Sequence, residues 1–228
     1  AVLARKAPDL IHKIFSDGHE IACHYNFHDN VDNATAETFG ENLDIAIETL
    51  HSITGEQPVG FRAPNFAISA DNTFAYEELA KRFKYDSSYK TSEQASQITK
   101  NGEFLFGENS LKEFFVYGMP YAFGKIKIRS GGTFLRLFPV SQTIKSMKQS
   151  YNKQHAPILY VHPYEILTEK EFWLTWKDLQ FMSIKQRTIF WFRQNQWSNL
   201  GNKTVETKIE QICEIFEHQG PMRELLVK

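Results

Sequence analysis

The segment His19-Glu20-Ile21-Ala22-Cys23-His24 decides how the chain folds. Ile21, Ala22 and Cys23 give it the apolar body of a short strand. Upstream, Leu10, Ile11, Ile14 and Phe15 recur at helical spacing behind Pro8, and Asp17-Gly18 stops that helix. Downstream, Thr35 is placed to cap a helix running to about Ile53. Phe39, Leu43, Ile47 and Leu50 lie on one face of it, and Gly55 follows as a stop. Gln57 to Ala63 reads as the next strand and ends at Pro64. Ser69 then caps a helix through Phe74, Leu79 and Ala80, and Phe83-Lys84-Tyr85 enters another strand. This alternation predicts an α/β fold with a largely parallel sheet, in which functional groups collect where strands end. His24, Arg62 and Asp86 stand at such ends.

The later chain is less regular. Thr91 to Glu108 is polar, like an insertion. Phe114 to Tyr117 and Lys125 to Ile128 read as strands, Gly131-Gly132 as a turn, and Val140 to Tyr151 as a helix. Pro157 to His162 is the best late strand, because Ile158, Leu159, Tyr160 and Val161 form a continuous apolar run. Thr168 to Asn202 is aromatic without a clear period. Val205 to Phe216 reads as a helix and Glu224 to Val227 as a closing strand. No internal repeat or low-complexity linker interrupts the chain, so the expectation is one domain over residues 1–228.

Hydrophobic residues make up 42% of the 228, which supplies a core and excludes disorder of the whole chain. A formal net charge of −1 gives no electrostatic reason to expect nucleic acid or an anionic membrane. No apolar run has the length of a membrane span. The 19 phenylalanines suit either a large core or an aromatic-lined groove. Cys23 and Cys213 are the two cysteines; without a CxxC pair they fit free thiols in a reducing, cytoplasmic compartment.

Three of the eight histidines fall in Gly18-His19-Glu20-Ile21-Ala22-Cys23-His24-Tyr25-Asn26-Phe27-His28. His24 and His28 are four apart, a spacing that brings two imidazoles to one side of a tight loop. They read either as ligands for Zn²⁺ or a similar divalent ion, or as two surface histidines. Cys23 beside His24 suggests a nucleophile pair, but alternation along a strand turns Cys23 away, as a buried thiol. Arg62, in Gly60-Phe61-Arg62-Ala63-Pro64, is either a bidentate holder of a carboxylate or an ordinary surface arginine. His162, in Tyr160-Val161-His162-Pro163-Tyr164-Glu165, is either a general acid oriented by a carboxylate or carbonyl, or a histidine at a core edge.

Together these stretches resemble the polysaccharide deacetylases with the NodB homology domain, and most closely the branch associated with bacterial exopolysaccharide operons. Gly18 to His28 resembles the family's metal-binding histidine motif. Gly60 to Ile68 resembles its arginine-proline motif, and Tyr85-Asp86-Ser87-Ser88 its short acidic motif. Gly131-Gly132-Thr133-Phe134-Leu135-Arg136-Leu137-Phe138-Pro139 resembles a glycine-rich signature, and His162-Pro163-Tyr164-Glu165 the family's histidine motif. The resemblance implies a distorted, incomplete (β/α) barrel and a divalent metal, most often zinc. It implies His24 and His28 as metal ligands, His162 as general acid and Arg62 as the residue orienting the catalytic carboxylate. Asp86, Phe134, Arg136 and Tyr164 would line the sugar site. The implied reaction is metal-assisted removal of acetyl groups from N-acetylated hexosamines of a polysaccharide, the expected partner.

One family feature is missing. The resemblance implies an acidic first strand ahead of the helix at Pro8, but no Asp or Glu precedes Asp9. The expectation is therefore a chain lacking its first strand, a piece of a longer enzyme. The alternatives are a catalytically impaired carbohydrate-binding relative, or a hydrolase of a small amide outside polysaccharides.

Overall fold

The helical spacing around Thr35 is realised over Ala36–Thr54, and the reasons are local. Thr35 Oγ1 accepts from the backbone N–H of Thr38 at 3.2 Å, and Gly55 closes the helix in the left-handed conformation, with φ of 76°. The computed structural model describes residues 1–69, 72–90, 102–106 and 108–227. Where the sequence suggests one domain, these residues fall into two compact units, Ala1–Val116 with Gln219–Lys228, and Tyr117–His218.

The first unit carries helices α1 (Val2–Lys6), α2 (Pro8–Ser16), α3 (Ala36–Thr54) and α4 (Thr73–Ala80). Asn72, and not Ser69, caps α4: its side-chain oxygen accepts from Ala75 N–H at 3.2 Å. The Ser69 N–H instead donates to Asp32. Four strands form a sheet in the order β1 (Gly60–Phe61), β2 (Tyr85–Asp86), β4 (Asn109–Glu113), β3 (Glu103–Phe106). The first three in that order run parallel, and β3 pairs antiparallel with β4.

Several expected strands are shorter or displaced. His19 to His24 contributes a single parallel bridge, Cys23 to Phe61, made by Cys23 N–H to Gly60 O at 2.8 Å and Arg62 N–H to Cys23 O at 2.9 Å. Residues 114–117 form no strand. They run beside the chain leaving β2 through isolated bonds, Phe114 N–H to Asp86 O and Val116 N–H to Tyr89 O. Of the expected insertion, residues 91–101 and 107 lie outside the described residues; 103–106 is β3. Met222–Val227 is a 3₁₀ helix and not a closing strand, and Arg223 N–H donates to Glu20 at 3.1 Å. No closed barrel forms among the described residues.

The core of this unit is aromatic. Phe39, Leu43, Phe61, Tyr76, Leu79, Phe83, Phe104 and Leu111 are buried together. Gly60 is required by that packing, because a Cβ there would sit 1.9 Å from the Tyr85 ring.

The second unit contains the hairpin β5 (Gly118–Tyr121) and β6 (Ile126–Arg129), then α5 (Gly132–Leu137), α6 (Val140–Asn152), α7 (Pro163–Ile166), α8 (Ile184–Trp197) and α9 (Val205–Cys213). The expected turn at Gly131-Gly132 is the entry to α5. The expected buried strand at 157–162 is half-exposed and pairs only once, Tyr160 with Gly131. An apolar run becomes a strand only where a neighbour offers its backbone, and here Ser130 O does so, accepting from Tyr160 N–H at 3.0 Å. Leu135, Met147, Val205 and Ile212 make one small core, and Tyr117, Met119 and Ile128 another. Among the described residues no helix is long and apolar enough to cross a membrane.

Candidate functional site

The bridge at Cys23 decides which side chains reach the surface. Cys23 is buried, and burial pushes its thiol up to about 11, so it is a protonated core residue and no nucleophile. His24, one residue on, is exposed at the strand end, and its Nδ1 lies 2.6 Å from the Arg62 carbonyl. Tyr25 then takes a left-handed backbone, φ 65°, that bulky residues rarely adopt. The next residue is pinned: Arg5 Nη1 donates to Asn26 Oδ1 at 2.7 Å, and Asn26 Nδ2 donates to Asn42 Oδ1 at 2.7 Å. The turn returns His28 to His24, with ring centroids 5.4 Å apart and planes 71° from parallel.

His24 has its pKa lowered, first by desolvation, with the charges of His28 and Arg62 adding to it. The Arg62 carbonyl bond opposes the shift. The net effect favours the neutral imidazole, the form that ligates metals. With Nδ1 taken by a carbonyl, Nε2 is the nitrogen left for a ligand, the arrangement common behind metal-bound histidines. The pair thus fits a divalent cation as two of its donors. Among the described residues no group of three or more His, Cys, Asp or Glu side chains is gathered for a metal.

Arg62 is fastened to the acidic motif. Its Nε donates to Ser87 O at 2.9 Å, its Nη2 to Ser87 Oγ at 2.7 Å, and its guanidinium lies 5.4 Å from the Phe66 ring centroid. Asp86 does not line an open site: it is 0% exposed. Ser88 donates to it through Oγ at 2.6 Å and N–H at 3.1 Å, and the same Ser88 Oγ accepts from Ala63 N–H. The carboxylate therefore locks the two motif loops together from beneath.

Beside Asp86, at the matching position of the neighbouring parallel strand, stands Glu113, also buried. Glu113 Oε1 accepts from Tyr89 N–H, and Oε2 is buried with no hydrogen-bond partner among the described residues. Desolvation, then the Asp86 charge, raises Glu113 well above the ordinary range; desolvation raises Asp86 as well. A shallow cavity of about 350 Å³ opens in the same unit, lined by Asp32, Phe66, Ala67, Ile68, Ser69, Tyr89 and Lys90.

In the second unit, His162 precedes α7. Glu165 accepts from its backbone N–H at 2.9 Å and lies 3.4 Å from its Nδ1. Glu165 is 1% exposed and pairs at 3.6 Å with Arg136. Arg136, expected on a sugar groove, is instead buried, donating to Gln196 O at 2.8 Å and Leu200 O at 2.9 Å. Tyr164 stacks between His162 and Trp197, with centroids 4.9 and 6.0 Å away. Phe134 is half-buried against the Tyr117 cluster.

The sequence reading missed Glu165, Glu113 and Ser87 as working groups. Glu165 alone carried a usable signal, an acid three residues after a histidine with proline between, the spacing of a capping box.

A polysaccharide deacetylase family model matches residues 1–86, and a domain of unknown function, DUF3473, matches residues 94–220. A peptidoglycan deacetylase-like protein of Gibberella zeae is 37% identical over 75 residues, a match covering 33% of this chain and 22% of that relative. A crystal structure assigned as a polysaccharide deacetylase from Mycobacterium smegmatis superposes with a TM-score of 0.58 at 20% identity, covering 98% of this chain and 67% of that one. One assigned likewise from Pseudomonas aeruginosa gives 0.52 at 14% identity, over 98% and 63%. These superpositions show the fold that those neighbours share with this α/β chain. The chain belongs to the DUF3473 family, whose model covers more than half of it, and its first part, residues 1–86, matches the polysaccharide deacetylase model.

Proposed function

We propose that the protein is a metal-dependent hydrolase that removes acetyl groups from N-acetylated hexosamines of a polysaccharide. The observation carrying this reading is the imidazole pair, with His24 fixed through Nδ1 by the Arg62 carbonyl and His28 5.4 Å away. His24 and His28 would hold a divalent cation, zinc before others. Such a cation supplies a polarised acetyl carbonyl and a water acidic enough to attack near neutral pH.

The chain's own groups do the rest. The Arg62 carbonyl fixes the His24 tautomer, and Ser87 fixes Arg62. Within the second unit, Glu165 lies 3.4 Å from His162 Nδ1 and orients that ring as a candidate proton donor. Arg136 in turn faces Glu165 at 3.6 Å in a dry interior and fixes its position. No general base is assigned among the described residues. The parallel run of β1, β2 and β4, extended by the Cys23 bridge, supports an arc of an incomplete (β/α) barrel of the NodB type.

The test is acetate release by the full-length gene product from an oligosaccharide of N-acetylglucosamine. The expected result is release that exhaustive chelation abolishes and added zinc restores. Release that survives chelation, or none from any N-acetylated oligosaccharide, overturns the reading.

A further inference from the structure

The peptide group between Arg62 and Ala63 is bonded at both of its polar atoms. Its carbonyl, Arg62 O, lies 2.6 Å from His24 Nδ1. A carbonyl only accepts, so Nδ1 carries the proton and donates it. Its N–H, on Ala63, donates to Ser88 Oγ at 2.7 Å. Ser88 Oγ donates in turn to Asp86 Oδ1 at 2.6 Å. The C=O and N–H of a planar trans peptide point to opposite sides, so the peptide stands between the imidazole and the serine. The three hydrogen bonds run in one direction, donor to acceptor, from an exposed imidazole to a buried carboxyl.

Each link is fixed. Ala63, Ser88 and Asp86 are all buried. Asp86 Oδ2 accepts from Ser88 N–H at 3.1 Å, so both oxygens of the carboxyl are held. Arg62 N–H donates to Cys23 O at 2.9 Å, and the Arg62 side chain is bound to Ser87 through Nε and Nη2. The carbonyl that meets His24 therefore cannot swing away without breaking bonds to two neighbouring segments.

Hydrogen bonds aligned head to tail polarise one another, and a dry interior strengthens them. A carboxyl drawing on the Ser88 hydroxyl makes Oγ a better acceptor for the Ala63 N–H. That bond polarises the peptide and makes Arg62 O a better acceptor for Nδ1–H. A stronger bond at Nδ1 leaves more electron density on Nε2, the nitrogen left for a cation. Ligand histidines are commonly backed by a carboxylate or a carbonyl in direct contact. Here a carbonyl is in contact, and a carboxyl acts through it. His12, in the same unit, offers a contrast: its Nδ1 meets Ile53 O at 3.1 Å in an exposed contact near the end of α3.

We infer that Asp86 and Ser88 are positioning residues for His24, acting through the Arg62–Ala63 peptide to hold its Nδ1–H tautomer and to strengthen Nε2 as a cation ligand. The inference rests on the proposed cation site and deepens it. Neither residue touches the cation or the substrate, yet both set how well His24 binds.

NMR of the histidine ring nitrogens tests this without metal or turnover, because it reports which nitrogen of a neutral imidazole holds the proton. The full chain is measured at a pH where histidines are neutral. Wild type is expected to show His24 protonated at Nδ1. Ser88→Ala should move His24 to a mixture of tautomers, and Ser88→Thr, which restores the hydroxyl, should return it. Asp86→Asn keeps an acceptor for Ser88 but not the carboxyl. It should keep the tautomer, shift the His24 Nε2 signal and lower calorimetric zinc affinity about tenfold. His12 is the internal control: it should keep its signals in every variant, which separates loss of the relay from loss of the fold. An unchanged His24 tautomer in Ser88→Ala, or an unchanged Nε2 signal in Asp86→Asn, overturns the inference and leaves both residues a purely structural role. If Ser88→Ala disturbs His12 as well, Asp86→Asn decides. Tautomer and Nε2 responses as expected, in a chain that takes up no zinc, keep the relay and remove the cation-site reading.

Discussion

Glu165 shows what a single buried charge does in this protein. It faces Arg136 with both side chains sealed from water, at 0% and 1% exposed, while its other oxygen meets His162. Removing one member of such a pair strands the other in a dry interior. Glu165→Ala is therefore expected to cost about 3–5 kcal/mol in urea unfolding. Glu165→Gln keeps an acceptor for the His162 N–H and should unfold much closer to wild type. Its turnover should still fall, on the order of 10²-fold, because an amide orients the His162 ring less firmly than a carboxylate does. Equal turnover in Glu165→Gln and wild type would remove Glu165 as a positioning residue. Arg136 was legible as part of a motif but not as buried, because a sequence does not say which arginine will find an internal carboxylate.

At the scale of elements, helices with a clear apolar period were legible, whereas α8 (Ile184–Trp197), which lacks one, and the extent of the strands were not. Pro8–Ser16, Ala36–Thr54 and Val140–Asn152 follow apolar spacing and end signals that lie within each segment. Strand extent depends on a neighbour, so the apolar run at 157–162 pairs once and the one at 114–117 does not pair as a strand. The sheet instead selects positions by close fit, as at Gly60. Gly60→Ala would drive a methyl into the Tyr85 ring, whose hydroxyl donates to Glu20 at 2.9 Å. Displacing that ring is expected to cost about 1–3 kcal/mol in thermal or urea unfolding, a typical penalty for overpacking. An unchanged midpoint would mean that β1 and β2 are not packed as described. The loop from Cys23 to His28 was half legible: alternation told which way Cys23 and His24 point, but nothing in the residue types announced a left-handed tyrosine.

Across the whole molecule, the Asp86–Glu113 pair couples stability to pH. Unfolded, both carboxyls titrate near pH 4. Folded, both are raised, so the native state keeps a proton that the unfolded chain has released. The pair's contribution is complete below the unfolded values and is lost as pH rises through the folded ones. Glu113→Gln removes this loss. Its melting temperature relative to wild type should climb from pH 4 towards neutral pH, and parallel curves would contradict the raised carboxyls. The α/β class was readable from the chain, whereas no linker composition marks the boundary near residue 116 at which the described residues divide into two compact units.

The central claim is that His24 and His28 form a divalent-cation site. Zinc titration of the 228-residue chain by calorimetry tests it most directly. The account predicts weak, saturable uptake of about one ion per chain, since two imidazoles alone make a modest site. Uptake should vanish in the His24→Ala, His28→Ala double variant and persist in His162→Ala. Binding that is unchanged by the double substitution, or tight in its presence, would contradict the claim.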